Sequence, residues 1–227
     1  MVADLKSVFG FLTALKSNNS RDWFIEHKKE YENAHQQVIL FADRLLEEMR
    51  KVDEIETTSG KKSLFRIYRD VRFSKDKQPY KTHWGGYLTR LGKERRGGFY
   101  FHLEPGGSFI GGGFFEPNAE DLKQIRAHIA ADDTRLRVVM NNPEIIYFFG
   151  GLSGDQLKTA PKGFDIEHPA IDLLRYKQFL LRHDFKDSEV MKKDFYTEIA
   201  AGFTRMIPLF DVMSEYLTTD LNGESLL

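Results

Sequence analysis

The sequence predicts an α+β fold in which an antiparallel β-sheet lies in the middle of the chain, flanked by N- and C-terminal helices. In both end regions apolar residues recur every three or four positions, which is typical of amphipathic helices. Between Lys61 and Glu116 they alternate every second position, which is typical of strands. Only turns separate these strands, which favours hairpins over parallel crossovers. We expect a single α+β domain over residues 1–227.

The N-terminal region is predicted to form two helices. The first carries an apolar stripe from Leu5 to Leu15, and the second is predicted over residues 20–51. His27 and His35 lie on or beside the apolar stripe of the second helix. We expect both to be half-buried, hydrogen-bonded histidines without a chemical role.

The middle region is predicted to hold several short strands. The clearest is Gly98–Glu104, and Phe65–Phe73 alternates in the same way. The alternation in the first of these assigns side chains to two faces, with Phe99, Phe101 and Leu103 on one and Tyr100, His102 and Glu104 on the other. The glycine-rich run 106–113 matches no phosphate-binding pattern, so we expect a tight turn entering a strand that another backbone approaches closely.

The C-terminal region is predicted to be mainly helical. A helix is expected over residues 118–140, and a connection rich in glycine and proline over residues 150–169. A strand is expected at residues 176–182. The last helix is predicted to begin near Ser188, and Pro208 is expected to kink or interrupt it.

The composition excludes several classes of function. The 227 residues contain no cysteine, which excludes disulfides, thiolate metal sites, iron–sulfur clusters and cysteine nucleophiles. No apolar stretch is long enough to span a membrane and the N-terminus lacks the pattern of a signal peptide, so we expect a cytoplasmic protein with no membrane partner. The net charge of -1 argues against a protein that coats nucleic acid by bulk charge.

The charge is unevenly distributed along the chain. Residues 61–96 contain twelve Lys or Arg and three acidic residues, a local net charge of +9, and the rest of the chain carries -10. A nearly neutral protein therefore concentrates positive charge in one segment, which indicates a site for an anion.

The basic segment contains a distinctive pattern of charged and aromatic residues. Residues 66–80 read Arg-Ile-Tyr-Arg-Asp-Val-Arg-Phe-Ser-Lys-Asp-Lys-Gln-Pro-Tyr. This pattern, R-x-x-R-D-x-R-F-x-x-D-K-x-x-Y, resembles the hallmark of a bacterial family of conserved hypothetical proteins, the domain of unknown function 2461 family. The Asn-Asn-Ser-Arg-Asp-Trp-Phe and His-Leu-Glu-Pro-Gly-Gly runs also resemble that family, so the resemblance covers nearly the whole chain. The resemblance implies no reaction, cofactor or catalytic residue, because the family has none assigned.

Alternation along the predicted strand Phe65–Phe73 separates its charged residues. Arg69 falls on the apolar face, where we expect a structural ion pair because an unpaired buried charge is costly. Arg66, Asp70 and Arg72 fall on the other face. Arginine forks suit a phosphate or a carboxylate there, and Asp70 would orient one arginine or act as a base. A solvated, internally paired charged face is the alternative.

Residues 74–81 are predicted to form a loop, because Pro79 cannot take part in a regular strand ladder. Loops on a rigid scaffold are a common place for binding residues. Lys77, Tyr80 and Lys81 could therefore close over an anion. Ordinary solubilising lysines are the alternative.

His83, His102 and Glu104 are the set of residues best suited to metal binding or acid–base chemistry. His102 and Glu104 share a face of a predicted strand, and His83 lies on a strand that is near in sequence. Two histidines and a carboxylate can hold iron, manganese or zinc. The spacing does not require a metal, so we predict hydrogen-bonded strand residues and no metal site. His102 and Asp70 are the candidate acid–base residues.

The function that these observations favour is binding of a phosphorylated or polycarboxylate small molecule in a basic, arginine-lined pocket, with a reaction on that molecule as an extension. Two alternatives stay open. One is a nucleic-acid-binding module that uses residues 61–96, and the other is a protein-interaction domain for an acidic partner. The sequence predicts no particular cofactor and no oligomeric state.

Overall fold

The structure is a computed structural model that describes residues 3–227. In chain order the elements within this range are α1 Leu5–Ser17, α2 Arg21–Glu26, α3 Lys28–Met49, α4 Gly60–Ser63, β1 Trp84–Thr89, β2 Gly98–Leu103, β3 Phe109–Phe114, α5 Ala119–Ala131, α6 Thr134–Met140, α7 Pro143–Phe149, α8 Ile171–Leu174, β4 Phe179–Asp184, α9 Asp187–Val190 and α10 Phe195–Thr218. The four strands form one antiparallel sheet in the order β1-β2-β3-β4. The predicted α+β class is therefore confirmed. Over the same range no helix combines the length and apolar character that a membrane crossing requires.

The chain divides into two compact units. The first unit runs up to Leu88 and also includes Tyr100–Ile110 and Asp184–Ala201. In this unit α1 and α4 both pack on α3. The ring of Phe41 on α3 contacts those of Phe101 on β2 and Phe195 on α10, with centroids 5.6 and 6.0 Å away. These aromatic contacts place β2 beside α3 in the core of the first unit.

The second unit consists of Thr89–Phe99, Gly111–His183 and Gly202–Leu227. Its core is also aromatic. The Phe99 ring lies 5.1 Å from the rings of both Phe203 and Phe210 on α10. All three phenylalanines are completely buried, so α10 anchors the second unit as α3 anchors the first.

The predicted helix over residues 20–51 is in fact two helices. α2 ends at Glu26 and α3 begins at Lys28, with His27 between them. Nδ1 of His27 lies 2.9 Å from the Trp23 carbonyl oxygen, and the imidazole stacks on the Trp23 ring at 4.0 Å. A side chain that bonds the backbone of the preceding turn competes with the helical ladder. The spacing of the apolar residues, on which the prediction of one helix depends, does not indicate this break.

The predicted strand Phe65–Phe73 is wrong. Within it Tyr68 forms an isolated bridge with Tyr80, and Leu64, the residue before Phe65, forms another with Gly86. Pro79 has no amide to donate in this region. The carboxylates of Asp70 and Asp76 each accept the backbone amide two residues further on, at 3.2 and 3.0 Å. These local turns replace strand hydrogen bonds, so the assignment of alternate residues to two faces of a strand does not apply.

The C-terminal predictions require smaller corrections. The helix expected over residues 118–140 is interrupted at Asp132, whose carboxylate accepts the amide of Thr134 at 2.9 Å. The last helix is divided into α9 and α10. Pro208 lies inside α10 without interrupting it, because a proline removes only one amide donor from a long helix. The strand expected at residues 176–182 is present as β4, which begins at Phe179 and ends at Asp184.

The glycine-rich run lies partly in β3 and allows close packing of neighbouring strands. Gly113 has a φ of +127°, and a Cβ at this position would lie 2.1 Å from the Phe179 carbonyl oxygen of β4. A Cβ at Gly112 would lie 2.9 Å from the Gly98 carbonyl oxygen of β2. The close backbone approach expected from the sequence is therefore present on both sides of β3.

Candidate functional site

Three hydrogen-bonded side chains lie in a row along β2 and the residue that follows it. The Tyr100 hydroxyl is 2.9 Å from Nδ1 of His102, and Nε2 of His102 is 3.0 Å from Oε2 of Glu104. These residues occupy alternate positions, so they share the face that the sequence assigns to them. A phenol, an imidazole and a carboxylate joined in this order can share a proton.

The His102 ring packs against two other rings. It stacks with His83 at 4.1 Å and with Phe109 at 4.7 Å, with interplanar angles of 29° and 18°. Its side chain is only 10% exposed. The packing limits rotation of the imidazole, so the edge that carries Nε2 stays directed at Glu104.

Glu104 is held by the residues around it. Its Oε1 atom accepts a hydrogen bond from the Thr82 hydroxyl at 3.4 Å. The hydroxyl of Ser108, a completely buried residue, is bonded to both the backbone amide and the carbonyl of Glu104, at 3.1 and 3.0 Å. These contacts fix the end of β2. We refer to Tyr100, His102, Glu104 and His83 as the histidine cluster.

The surroundings of His83 determine its charge state. Burial chiefly, and then the neighbouring His102, lowers the pKa of His83 to about 4, although Glu104 acts in the opposite direction. The positive charges of Lys81 and Arg69 add to the lowering of this pKa. His83 is therefore a neutral imidazole near pH 7, the form that can accept a proton or bind a cation.

The histidine cluster also contains a set of possible metal ligands. His83, His102 and Glu104 each offer one donor atom, and all three atoms lie within 4.8 Å of one another. Among residues 3–227 no other group of three or more histidine or acidic side chains meets this condition. The structure thus brings together the three residues that the sequence identifies as a possible set.

Asp70 and Arg72 form an ion pair on the surface. Two guanidinium nitrogens of Arg72 bond the Asp70 carboxylate, Nε to Oδ1 at 2.9 Å and Nη2 to Oδ2 at 2.6 Å. This pairing lowers the pKa of Asp70 and raises that of Arg72. The Asp70 carboxylate thus stays ionised and bound to Arg72, and nothing joins it to His102, the other candidate acid–base residue.

Arg69 also has a carboxylate partner. Its Nη1 atom lies 2.5 Å from Oδ2 of Asp76 and 3.3 Å from the Gln78 carbonyl oxygen. The Gln78 amide chiefly, and then Arg69, lower the pKa of Asp76. An ion pair at Arg69 is what the sequence led us to expect, but it closes a surface loop between residues 69 and 78 and does not lie under a sheet.

Two of the predicted ligand-binding residues make contacts within the protein. Tyr80 is only 6% exposed, and its ring stacks on Phe24 at 4.0 Å. The side chain of Asn19 bonds the Tyr80 backbone on both sides, accepting from the amide and donating to the carbonyl. The Lys77 ammonium donates to the Val71 carbonyl at 3.0 Å. Tyr80 thus fixes this segment of the chain against Phe24. The Lys77 ammonium bonds a carbonyl, which does not neutralise its positive charge.

Residues 65–82, which we call the cationic loop, retain an excess of positive charge after pairing. The two acidic residues of the loop are bound to Arg69 and Arg72. The other cations have no carboxylate partner among residues 3–227, and these are Arg66, Lys75, Lys77 and Lys81. Arg66 and Lys75 are exposed, and the Lys81 ammonium lies 5.7 Å from the centre of the Phe65 ring.

Several contributors to the site are not evident from the sequence alone. Thr82, Ser108 and Phe109 support the histidine cluster through contacts that depend on how the segment before β1, the turn after β2 and the start of β3 lie against β2. The nearest signal is the position of Ser108, directly after the predicted glycine turn. A separate cleft of about 300 Å³ lies along α3, between Asp43, Arg50 and Thr58, and includes none of the predicted site residues.

The fold and the site define an α+β protein with an antiparallel sheet, a partly buried histidine cluster and an exposed cationic loop. Comparison with known families identifies the family to which the chain belongs. The family of conserved hypothetical proteins designated DUF2461 matches residues 7–211, so the chain belongs to this family, as the motif at residues 66–80 suggests. No curated protein and no solved structure matches the chain significantly.

Proposed function

We propose that the protein binds a small phosphorylated or polycarboxylate molecule on the cationic loop, beside the histidine cluster. The observation that carries this proposal is the charge left after pairing. Both acidic residues of the loop are already bound to arginines, and four further cations have no carboxylate partner among the described residues. An unneutralised group of cations on a loop that is anchored at its base suits a compact anion.

Lys81 is the cation best placed to bring an anion to the histidine cluster. It lies two residues before His83 in the chain. Burial is the main cause of the lowered pKa of His83, and the charge of Lys81 contributes to it, so the two groups are within electrostatic range. An anion held by Lys81 would therefore lie near the neutral imidazole of His83, and its negative charge would raise the pKa of His83 toward the range of an effective base.

Acid–base chemistry, if the bound molecule reacts, is best assigned to the histidine cluster. Of the two residues expected to supply it, Asp70 is bound to Arg72 on the surface. His102 instead belongs to a partly buried hydrogen-bonded row with Tyr100 and Glu104. In this proposal Arg66 and Lys81 bind the anion, His83 and His102 exchange protons, and Arg72 orients the loop through Asp70.

Thermal unfolding with added anions tests the binding proposal, because a ligand of the native state raises Tm. The probes are inorganic phosphate, citrate and a nucleoside diphosphate at low salt. We expect at least one to raise Tm, and Lys81→Ala to weaken its binding about tenfold through loss of one charge-assisted contact. Lys29→Ala, which removes an exposed lysine of α3, is the matched control and should bind as the wild type does. No Tm shift with any probe would contradict the proposal.

A second candidate function is binding of single-stranded nucleic acid. The cationic loop exposes three aromatic side chains among its cations, Phe65, Tyr68 and Phe73, and Phe73 is 96% exposed. Bases stack on such rings while cations follow the backbone. A short oligonucleotide that binds with a steep salt dependence, and loses affinity in Phe73→Ala, would favour this function. Binding of phosphate or citrate that is unchanged in Phe73→Ala would favour the small anion.

A further inference from the structure

We propose that His83, His102 and Glu104 bind a divalent first-row transition metal ion. The chemistry of the three side chains supports this class of ion. Two imidazoles with one carboxylate suit zinc, iron and manganese, whereas magnesium and calcium prefer sites made of oxygen ligands. The proposal does not rest on anion binding by the cationic loop, because the three ligands belong to the histidine cluster. It does replace the proton exchange proposed above, because a bound ion would occupy the ring nitrogens of His83 and His102.

The spacing of the donor atoms fits a single ion. Two atoms that are each about 2.1 Å from a metal lie about 3.0 Å apart when the angle at the metal is 90°. Nε2 of His102 and Oε2 of Glu104 are 3.0 Å apart. An ion with ligands at 90° can therefore bind both atoms at this separation, and a tetrahedral ion requires them to move apart by about 0.4 Å.

His83 supplies the third ligand. Its donor atom lies within 4.8 Å of the other two, and no hydrogen bond within residues 3–227 occupies its ring nitrogens. Two ligand atoms of a tetrahedral ion are about 3.4 Å apart, so a movement of about 1.4 Å or less brings His83 into range. A side-chain rotation is sufficient for such a movement.

Neighbouring residues orient His102 and Glu104 in the way that supporting residues orient ligands in known metal sites. Ligating histidines usually donate their second ring nitrogen to an oxygen. Nδ1 of His102 is 2.9 Å from the Tyr100 hydroxyl, and Nε2, on the other edge of the ring, is directed at Glu104. The second carboxylate oxygen of Glu104 is bonded by Thr82. Tyr100 and Thr82 are thus positioning residues for the site.

Three protein ligands leave open positions on the ion. Structural zinc sites are normally closed by four protein ligands, whereas sites with three keep a position for water or for an exogenous ligand. One carboxylate and two neutral imidazoles leave a divalent ion with a net positive charge. The site would therefore attract an anionic oxygen ligand, and it adds a direct contact that the cationic loop alone cannot provide.

Titration of chelator-treated, full-length protein with Zn²⁺, and separately with Co²⁺, tests the proposal without any anion present. We expect one equivalent of Zn²⁺ to bind and to raise Tm. Co²⁺ is expected to show visible d–d bands typical of nitrogen and oxygen ligands. His83→Gln and Glu104→Gln should each weaken Zn²⁺ binding more than tenfold, and Tyr100→Phe about tenfold.

His27→Gln is the matched control, because it removes a half-buried histidine of the first unit that lies outside the histidine cluster. It should bind Zn²⁺ like the wild type. Circular dichroism of each variant with chelator first establishes that it folds. The wild type also gives an independent measurement, because the imidazole ¹⁵N signals of His83 and His102 should shift on addition of Zn²⁺. Unchanged signals, or stoichiometric binding that persists in both His83→Gln and Glu104→Gln, would overturn the proposal.

Discussion

On the cationic loop, the side chains of Arg72 and Asp70 form an ion pair and are 77% and 59% exposed. At the end of β2, the side chains of His102 and Glu104 are hydrogen-bonded and are only 10% and 26% exposed. Both pairs join residues two positions apart. The first lies in water, where an ion pair contributes little to stability. The second is shielded by stacked rings and supported by further hydrogen bonds, so each polar group there depends on its neighbours.

The difference between these regions indicates different tasks. The cationic loop is fixed at its base by Tyr80 and Asn19, while its charged tip remains accessible. The histidine cluster is held rigidly at the end of a strand. Accessible charge suits capture of an anion, and rigid, partly buried donors suit a chemical or metal-binding role.

The largest effect is expected at the base of the cationic loop. Tyr80→Ala removes a buried ring stacked on Phe24, which should cost about 3 kcal/mol of the free energy of unfolding. Phe73→Ala at the exposed tip should change it by less than about 0.5 kcal/mol. Urea unfolding measures both. Equal effects would mean that the loop is not anchored at its base.

The second largest effect is expected behind the histidine cluster. Ser108→Ala removes the hydroxyl that bonds the Glu104 backbone and leaves a buried amide without its partner, which should cost about 1–3 kcal/mol. Ser17→Ala is the matched control, because the Ser17 hydroxyl bonds a carbonyl at an exposed helix end. Urea unfolding should separate the two serines clearly. A Ser108→Ala protein as stable as the control would show that this support is dispensable.

A smaller effect is expected for the arginines of the cationic loop. Arg69→Ala loses contacts with Asp76 and the Gln78 carbonyl and should cost about 1 kcal/mol. Arg72→Ala should leave the apo protein unchanged, because its ion pair with Asp70 is fully solvated. Thermal unfolding of both variants tests this. If Arg72→Ala destabilises the apo protein as much as Arg69→Ala, the motif is scaffolding and the functional interpretation of the loop is wrong.

The smallest effect is expected from acid titration of a buried histidine. Burial chiefly, with the charge of Lys61, lowers the pKa of His35, so the unfolded chain takes up a proton before the folded one does. Stability should therefore fall as the pH drops below about 6.5, the pKa of an exposed histidine. The loop carboxylates have lowered pKa values and lose their contribution only in stronger acid. His35→Gln should reduce the slope of the stability profile between pH 6.5 and 5 without removing it, because His83, whose pKa is lowered to about 4, contributes over the same range. An unaltered slope would contradict this assignment.

The regular parts of the fold were predictable because their periodicity is strong. The alternation in Gly98–Glu104 correctly predicted both β2 and the face that carries Tyr100, His102 and Glu104. The predicted strand Phe65–Phe73 failed because side chains of Asp70 and Asp76 compete for backbone amides. That competition depends on side-chain conformation, which alternation of residue types does not record.

The sequence identified the residues of the candidate site better than the contacts between them. The net charge of residues 61–96 indicated a basic segment, and His83, His102 and Glu104 were recognised as a set. Which arginines keep a free charge depends on the pairing of Arg69 with Asp76 and Arg72 with Asp70. These partners are close in sequence, but several alternative pairings are equally close, so only the folded loop selects among them.

The sheet order β1-β2-β3-β4 has a consequence for the order of folding. β1, β2 and β3 are joined by short connections, whereas β4 reaches β3 only after residues 115–178 have been placed. Closing a long segment costs more conformational entropy than closing a hairpin. We therefore expect the three-stranded meander that carries the histidine cluster to form early, with β4 docking last against the glycine backbone of β3.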